Sequence, residues 1–206
     1  MSKLLPFNLF VRQALLHPLV SPFLPPPIKV LKDFSYANGK QIGLLDPAGM
    51  GGTARTGQTI SYANYDDGWF EKGYPLSGPR FTDNENGTVT DNATGLMWAK
   101  DGQGAGCYNG GSIRWAQALT YAEGLTFAEY TDWRVPNIKE LLSIVDFSKR
   151  QPAIDEIFVN TEVAYYWSST TYIGITAEAL IIYFYWGWIN WQTKTDRSNL
   201  RLVRDA

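Results

Sequence analysis

The segment Tyr165 to Arg204 constrains the fold more than any other part of the chain. It holds ten aromatic residues, and its centre runs Ala179-Leu-Ile-Ile-Tyr-Phe-Tyr-Trp-Gly-Trp-Ile-Asn-Trp191. Flat rings and β-branched side chains suit a pleated sheet and crowd a helix. The two-residue period puts Leu180, Ile182 and Phe184 on one face and Ile181, Tyr183 and Tyr185 on the other. Trp186-Gly187 stands where a two-residue turn would reverse the chain. That turn would set Tyr185 opposite Trp188, Tyr183 opposite Asn190 and Ile181 opposite Gln192. If one face is core, the other is a row of aromatic and amide side chains turned outward, as recognition surfaces use. A sheet buried on both faces would read the same way, and both readings stay open at this point.

Chemistry-bearing residues are scarce. Cys107 is the sole cysteine, which excludes an internal disulfide and a cysteine metal cluster. His17, the sole histidine, lies beside Pro18 in an apolar, proline-rich stretch. A Ser-His-Asp triad or a His-rich metal site has nothing to draw on outside that tail. The expectation is a non-enzymatic protein without cofactor or metal. Net charge is −2 with no block of like charge, so no nucleic-acid partner is expected. The chain of 206 residues suits one domain with an extension and can bury a core unaided. Lys3 gives a basic start, but Pro6, Arg12, His17 and Pro18 interrupt the apolar core that a signal peptide needs. No apolar run approaches a membrane span, and localisation is left unassigned.

Read in order, residues 1–75 form an N-terminal extension. It begins with apolar, Pro-rich residues 1–27, continues with a hairpin around Asn38-Gly39, and ends within a loop that runs from Thr56 across the boundary to Pro79. Gly49–Ala54 resembles a dinucleotide loop but lacks the amphipathic helix that should follow. The main domain, 76–206, opens with strand, Asn86-Gly87 turn and strand, then a strand over Thr94–Trp98. Asp83, Glu85 and Asp91 read as a polar turn, since the spacing is not that of a calcium loop. A helix is expected from a Ser112 cap through Leu125, with Trp115, Ala118, Leu119 and Ala122 on its core face. Asn137 and Glu140 have capping-box spacing for a second helix ending near Asp146. Asp132 and Arg134 are expected to tie their loop to the sheet by charge-assisted hydrogen bonds.

Several of these motifs resemble a known family. Arg80-Phe-Thr-Asp-Asn84, Gly87-Thr-Val-Thr-Asp-Asn92, Thr94-Gly-Leu-Met-Trp98, Trp115, Asp132-Trp-Arg-Val-Pro136, Glu140-Leu141, Tyr166-Trp-Ser-Ser-Thr170 and Val203-Arg204 stand in the order of the Lcl C-terminal domain family. The resemblance covers roughly residues 76–206. It implies an α+β, C-type-lectin-like fold: a small twisted antiparallel sheet, two helices and a loop-rich binding face. Many members look like variable proteins of diversity-generating retroelements, in which adenine-directed mutagenesis rewrites the terminal coding segment. By that resemblance 165–204 is the variable region. The candidate ligand-binding positions are Tyr172, Gly174, Ile175, Glu178, Tyr183, Tyr185, Trp186, Trp188, Asn190, Trp191, Asp196 and Asn199. Trp186, Trp188, Trp191 and Glu178 would need template codons other than those for Asn. The implied partner is a protein or cell-surface ligand, with oligomerisation through the N-terminal extension left open. A fixed assembly or adhesin interface is the alternative. A formylglycine-generating type of enzyme shares a related fold but works through cysteines. The Glu-Pro-Asn and Trp-Asn-Asp motifs of calcium-dependent sugar-binding lectins are absent from the sequence.

Overall fold

The computed structural model describes residues 55–73 and 80–206, together with a short antiparallel pair, β1 (Tyr36–Ala37) and β2 (Lys40–Gln41). That pair flanks Asn38-Gly39, where a hairpin was expected. The apolar, Pro-rich residues 1–27 and the Gly49–Ala54 loop lie outside the described residues. The chain divides into two units, Met1–Leu45 and Asp46–Ala206, and the second contains everything that follows.

Among its described residues, the stretch expected to be irregular from Thr56 onward contains a helical turn, α1 (Asp67–Phe70). Asp66 explains it. Its carboxylate accepts the Trp69 N–H at 2.9 Å and the Tyr62 N–H at 2.7 Å, capping the turn from outside.

Four strands then form an antiparallel sheet: β3 (Phe81–Asp83), β4 (Thr88–Asp91), β5 (Leu96–Ala99) and the terminal β11 (Val203–Asp205), in the order β11-β5-β4-β3. The β3–β4 turn uses Gly87 at φ 86°. Arg80 and Asp91 pair bidentately at 3.1 and 2.9 Å, both buried. The pairing of Val203 with Trp98 brings the end of the chain back to the start of the domain.

Two helices follow β6 (Ile113–Arg114). The first is α2 (Trp115–Glu123), with Ala118 and Ala122 buried. Ser112 does not cap it: Arg114 occupies the N-cap and offers no side-chain bond. Ile113 is drawn into the core instead, and β6 pairs with β10 (Arg197–Ser198). The second helix, α3 (Ile138–Ser143), has the full capping box between Asn137 and Glu140. It stops earlier than expected, and Ile144 and Val145 enter the core beyond its end. Arg134 forks onto Glu140 at 2.7 and 2.9 Å and reaches Asp205. Arg204 forks onto Asp132 at 2.7 and 3.1 Å. These pairs fasten the 132–140 loop to β11, as the sequence suggested.

The aromatic segment makes a second, three-stranded antiparallel sheet in the order β7-β8-β9. Its strands are β7 (Tyr165–Thr171), β8 (Glu178–Tyr183) and β9 (Trp188–Thr193). The single small sheet expected from the sequence is therefore several. Pairing between strands as far apart as β5 and β11 is set by tertiary contact, which local pattern does not encode.

Two hydrophobic clusters hold these pieces together. One gathers Val89, Trp98, Leu141, Ile144, Phe158, Tyr166, Ile182 and Phe184. The other gathers Met97, Ile113, Ala118, Trp133, Trp167, Ile181, Leu200 and Leu202. Neighbours in sequence point into opposite clusters: Met97 and Trp98, Tyr166 and Trp167, Ile181 and Ile182. β7 and β8 are thus buried on both faces at their centres. Of the two readings left open by the sequence, the two-sided one holds here: Ile181 is only 1% exposed.

Candidate functional site

Exposure in the terminal sheet belongs to its edge strand and hairpin tip. Among the described residues β9 pairs with β8 alone, and Trp188, Ile189, Asn190 and Trp191 are all exposed. Trp188, Ile189 and Trp191 are 61%, 49% and 50% exposed. The registers Tyr183↔Trp188 and Ile181↔Asn190 leave Phe184-Tyr-Trp-Gly187 as a four-residue connection, which corrects the expected two-residue turn. The reason lies in Phe184. It is fully buried, and its main chain bonds sideways to Ala164 and Ala153, so it cannot extend the hairpin. Gly187, at φ 79°, closes the loop by donating its N–H to the Tyr183 carbonyl at 2.9 Å.

The tip carries a chain of ring contacts. Tyr165 and Tyr183 lie 4.6 Å apart, Tyr183 and Tyr185 5.7 Å, Tyr185 and Trp186 4.4 Å, and Trp186 and Trp188 6.0 Å. A second contact, Tyr172 stacked on Trp191 at 5.0 Å, joins the 172–177 loop to the middle of β9. Rings held by rings have few rotors left to freeze, so they bind at low entropic cost.

The candidate positions fall as follows. Gly174, Ile175, Trp186, Trp188, Asn190, Trp191 and Asp196 are exposed, and Tyr172, Glu178, Tyr183, Tyr185 and Asn199 are partly buried. The hairpin brings Tyr183, Tyr185, Trp186, Trp188, Asn190 and Trp191 together, and Tyr172 joins through Trp191. Asp196 and Asn199 lie past β9. The Asn199 main chain bridges to β7 through the Tyr165 carbonyl and the Trp167 N–H, so its backbone serves the frame. The sequence reading missed Tyr165, Ile173 and Ile189, all exposed. For Ile189 the signal would have been its place on an edge strand, where both alternating positions see solvent.

Between these positions the frame is tightly held. The Trp167 indole N–H donates to the Ile113 carbonyl at 2.7 Å, and that of Trp115 to the Ser168 carbonyl at 2.8 Å. The Ser168 hydroxyl donates to the Leu180 carbonyl at 2.6 Å where the β7–β8 register shifts. The Tyr166 hydroxyl accepts the Glu162 N–H at 3.0 Å, and burial pushes its pKa up to about 12. Burial also pushes the Cys107 thiol up, which keeps it protonated and poorly nucleophilic. The hydrogen bond from Arg204 holds the Asp132 carboxyl below its ordinary range. Among the described residues no group of three or more His, Cys, Asp or Glu could hold a metal ion. Asp91 is engaged by Arg80, and Asp83 by Lys100. Among the described residues no helix is long and apolar enough to cross a membrane.

Among the described residues, clefts of about 520 and 450 Å³ are lined by residues of 149–161 and by α2 with Tyr108 and Ile113, and no β9 residue lines either. The aromatic contacts instead run ring to ring from Tyr165 through Tyr183, Tyr185 and Trp186 to Trp188. The family model of the Lcl C-terminal domain matches residues 87–204, more than half of the 206. No curated protein matches the chain.

Proposed function

We propose that this chain, which belongs to the Lcl C-terminal domain family, is a non-enzymatic display protein: the variable protein of a diversity-generating retroelement, on a C-type-lectin-like fold. Residues 1–75 are its extension, and 76–206 the domain that presents the ligand-binding surface. The observation that carries the reading is the partition of the terminal segment. None of the candidate positions from Tyr172 to Asn199 is fully buried, while Tyr166, Trp167, Ser168, Leu200, Leu202 and Val203 are. A display protein needs that separation, because substitutions at exposed positions usually change stability by only about 0.5 kcal/mol. The ligand is a protein or cell-surface molecule recognised by aromatic contact.

A library of the full chain randomised at the candidate positions tests this. Members are selected first for protease resistance and then for binding to a purified soluble protein. The reading expects most members to fold and target-specific binders to emerge. A library that largely fails to fold sinks it.

The exposed Trp188, Ile189 and Trp191 also support a second reading, a fixed assembly interface. Light scattering separates the two. A dimer or larger species that alanine at Trp188 and Trp191 reduces to monomers favours assembly.

A further inference from the structure

The main chain of β9 carries information that its side chains do not. The Lys194 N–H donates to the Ala177 carbonyl at 2.9 Å. With the register Ile181↔Asn190, this fixes the alternation of the antiparallel ladder: Asn190 and Gln192 turn their main-chain groups toward β8, and Ile189, Trp191 and Thr193 turn theirs away. The outward Thr193 carbonyl accepts the Asp196 N–H at 2.9 Å, and the outward Trp191 N–H donates to the Asn190 side chain at 2.9 Å. The Ile189 N–H, the Ile189 carbonyl and the Trp191 carbonyl have no hydrogen-bond partner among the described residues. They are presented at strand spacing on an exposed edge.

The ends of this edge are basic, although the chain as a whole carries a net charge of −2. Arg150 lies over the Trp186 ring at 6.0 Å, at the hairpin tip. At the other end the exposed Arg197 and Arg114 are cross-strand partners on β10 and β6, while Lys194 is turned inward, over Trp115 at 4.1 Å and donating to the Thr171 hydroxyl and the Thr176 carbonyl. The Gln192 side chain ties β10 to β9 through Ser198 at 2.9 Å. None of Arg114, Arg150 and Arg197 makes an ion pair among the described residues. The acids of this region are Glu178, set opposite Thr193, Asp196 in the turn after β9, and Asp155 and Glu156 in the cleft that Arg150 also lines, where Glu156 pairs with Lys149 at 3.5 Å.

We propose that β9 captures an extended acidic peptide segment as an added strand. The peptide main chain docks on Ile189 and Trp191, its apolar side chains lie on the ring strip, and its carboxylates meet the flanking cations. This deepens the display reading and rests on it. Strand addition takes affinity from backbone bonds and specificity from side-chain pockets. Main-chain groups survive any substitution other than proline, so Trp188, Asn190 and Trp191 can change while the edge that holds the peptide stays the same. The alternating free donors and acceptors fit a polypeptide, which returns both kinds of group at the same repeat. The unpaired cations select an acidic one. On docking, the Trp191 N–H exchanges its Asn190 side-chain bond for one to the peptide.

The test uses the full chain and a random library of linear peptides. The tightest peptide is then synthesised unmodified and N-methylated at alternate residues, in each of the two possible registers. The proposal expects selected peptides rich in Asp and Glu, with binding that weakens as salt rises. N-methylation in one register should cut affinity about tenfold or more, and in the other only slightly. Arg150→Glu combined with Arg197→Glu should weaken the unmodified peptide. Neutral or basic selected peptides would overturn the proposal, as would indifference to N-methylation in both registers. So would an oligo-dT strand or heparin that binds more tightly and displaces the peptide, or a dimer of the free chain that the peptide dissolves, since the edge then pairs with a second copy. If affinity depends on Tyr183 and Trp188 but tolerates methylation in both registers, the strand falls and the display reading stands. If alanine at Tyr183, Tyr185 and Trp188 leaves every selected peptide's affinity unchanged, the display reading itself falls.

Discussion

Gly187 shows how one residue links the frame to the surface. Its φ of 79° closes the hairpin loop, and a Cβ there would lie 2.4 Å from Val145 Cγ1 in the core. Gly187→Ala should cost about 1–3 kcal/mol in urea unfolding, from strained backbone and overpacking together. Gly95 has φ 70° with nothing within 4 Å of the added carbon, so Gly95→Ala should cost only about 1–2 kcal/mol, the conformational part. Tyr166 gives a second residue-level prediction. Its pKa is about 12 in the fold against an ordinary value of 10.0, so the fold favours the protonated phenol. The stability this supplies is complete below pH 10 and is lost as pH rises toward 12. Tyr166→Phe should flatten that alkaline loss, read from unfolding midpoints across the range. Asp91 is the third. Asp91→Ala strands the buried Arg80 guanidinium and should cost about 3–5 kcal/mol by the same measurement.

At the scale of elements, the sequence was most legible where a signal is local. The Asn137–Glu140 capping box, the Gly87 turn and the strands around it could be read from spacing and turn chemistry alone. It was least legible where a distant partner decides. Ser112 looked like a cap, but its neighbour Ile113 was claimed by the core and by β10, which lies far along the chain. Trp186-Gly187 looked like a turn, but Phe184 was claimed by Ala153 and Ala164. The parity of β8 was legible and what covers its two faces was not. Alternation says which residues share a face; it does not say what covers that face, and here both faces are covered at Ile181 and Ile182. The hairpin register is open to a direct check by NMR. Ile182 and Ile189 form a non-hydrogen-bonded pair in the structure, so their α-protons should give a strong cross-peak. A two-residue turn would instead pair Ile182 with Trp191.

At the scale of the molecule, two cores share strands whose side chains alternate between them, and the last segment of the chain runs through both before and after it reaches the surface. That is why its exposed part can be read as replaceable and its flanks cannot. The candidate positions were legible only through their resemblance to family motifs, because composition cannot separate an exposed tryptophan such as Trp188 from a buried one such as Trp167. The flanking cations were invisible in sequence for a related reason. Arg114, Arg150 and Arg197 are scattered along the chain, and the β6–β10 pairing brings two of them side by side. The measurement that tests the division between frame and surface most directly is chemical unfolding of two full-length variants beside the wild type. In the first, Trp188, Asn190, Trp191 and Asp196 are all replaced by alanine; in the second, only Trp167. The account predicts that the first keeps its midpoint to within about 0.5 kcal/mol per position, while Trp167→Ala loses about 3–5 kcal/mol or fails to fold. A fourfold variant that unfolds as readily as Trp167→Ala would contradict it.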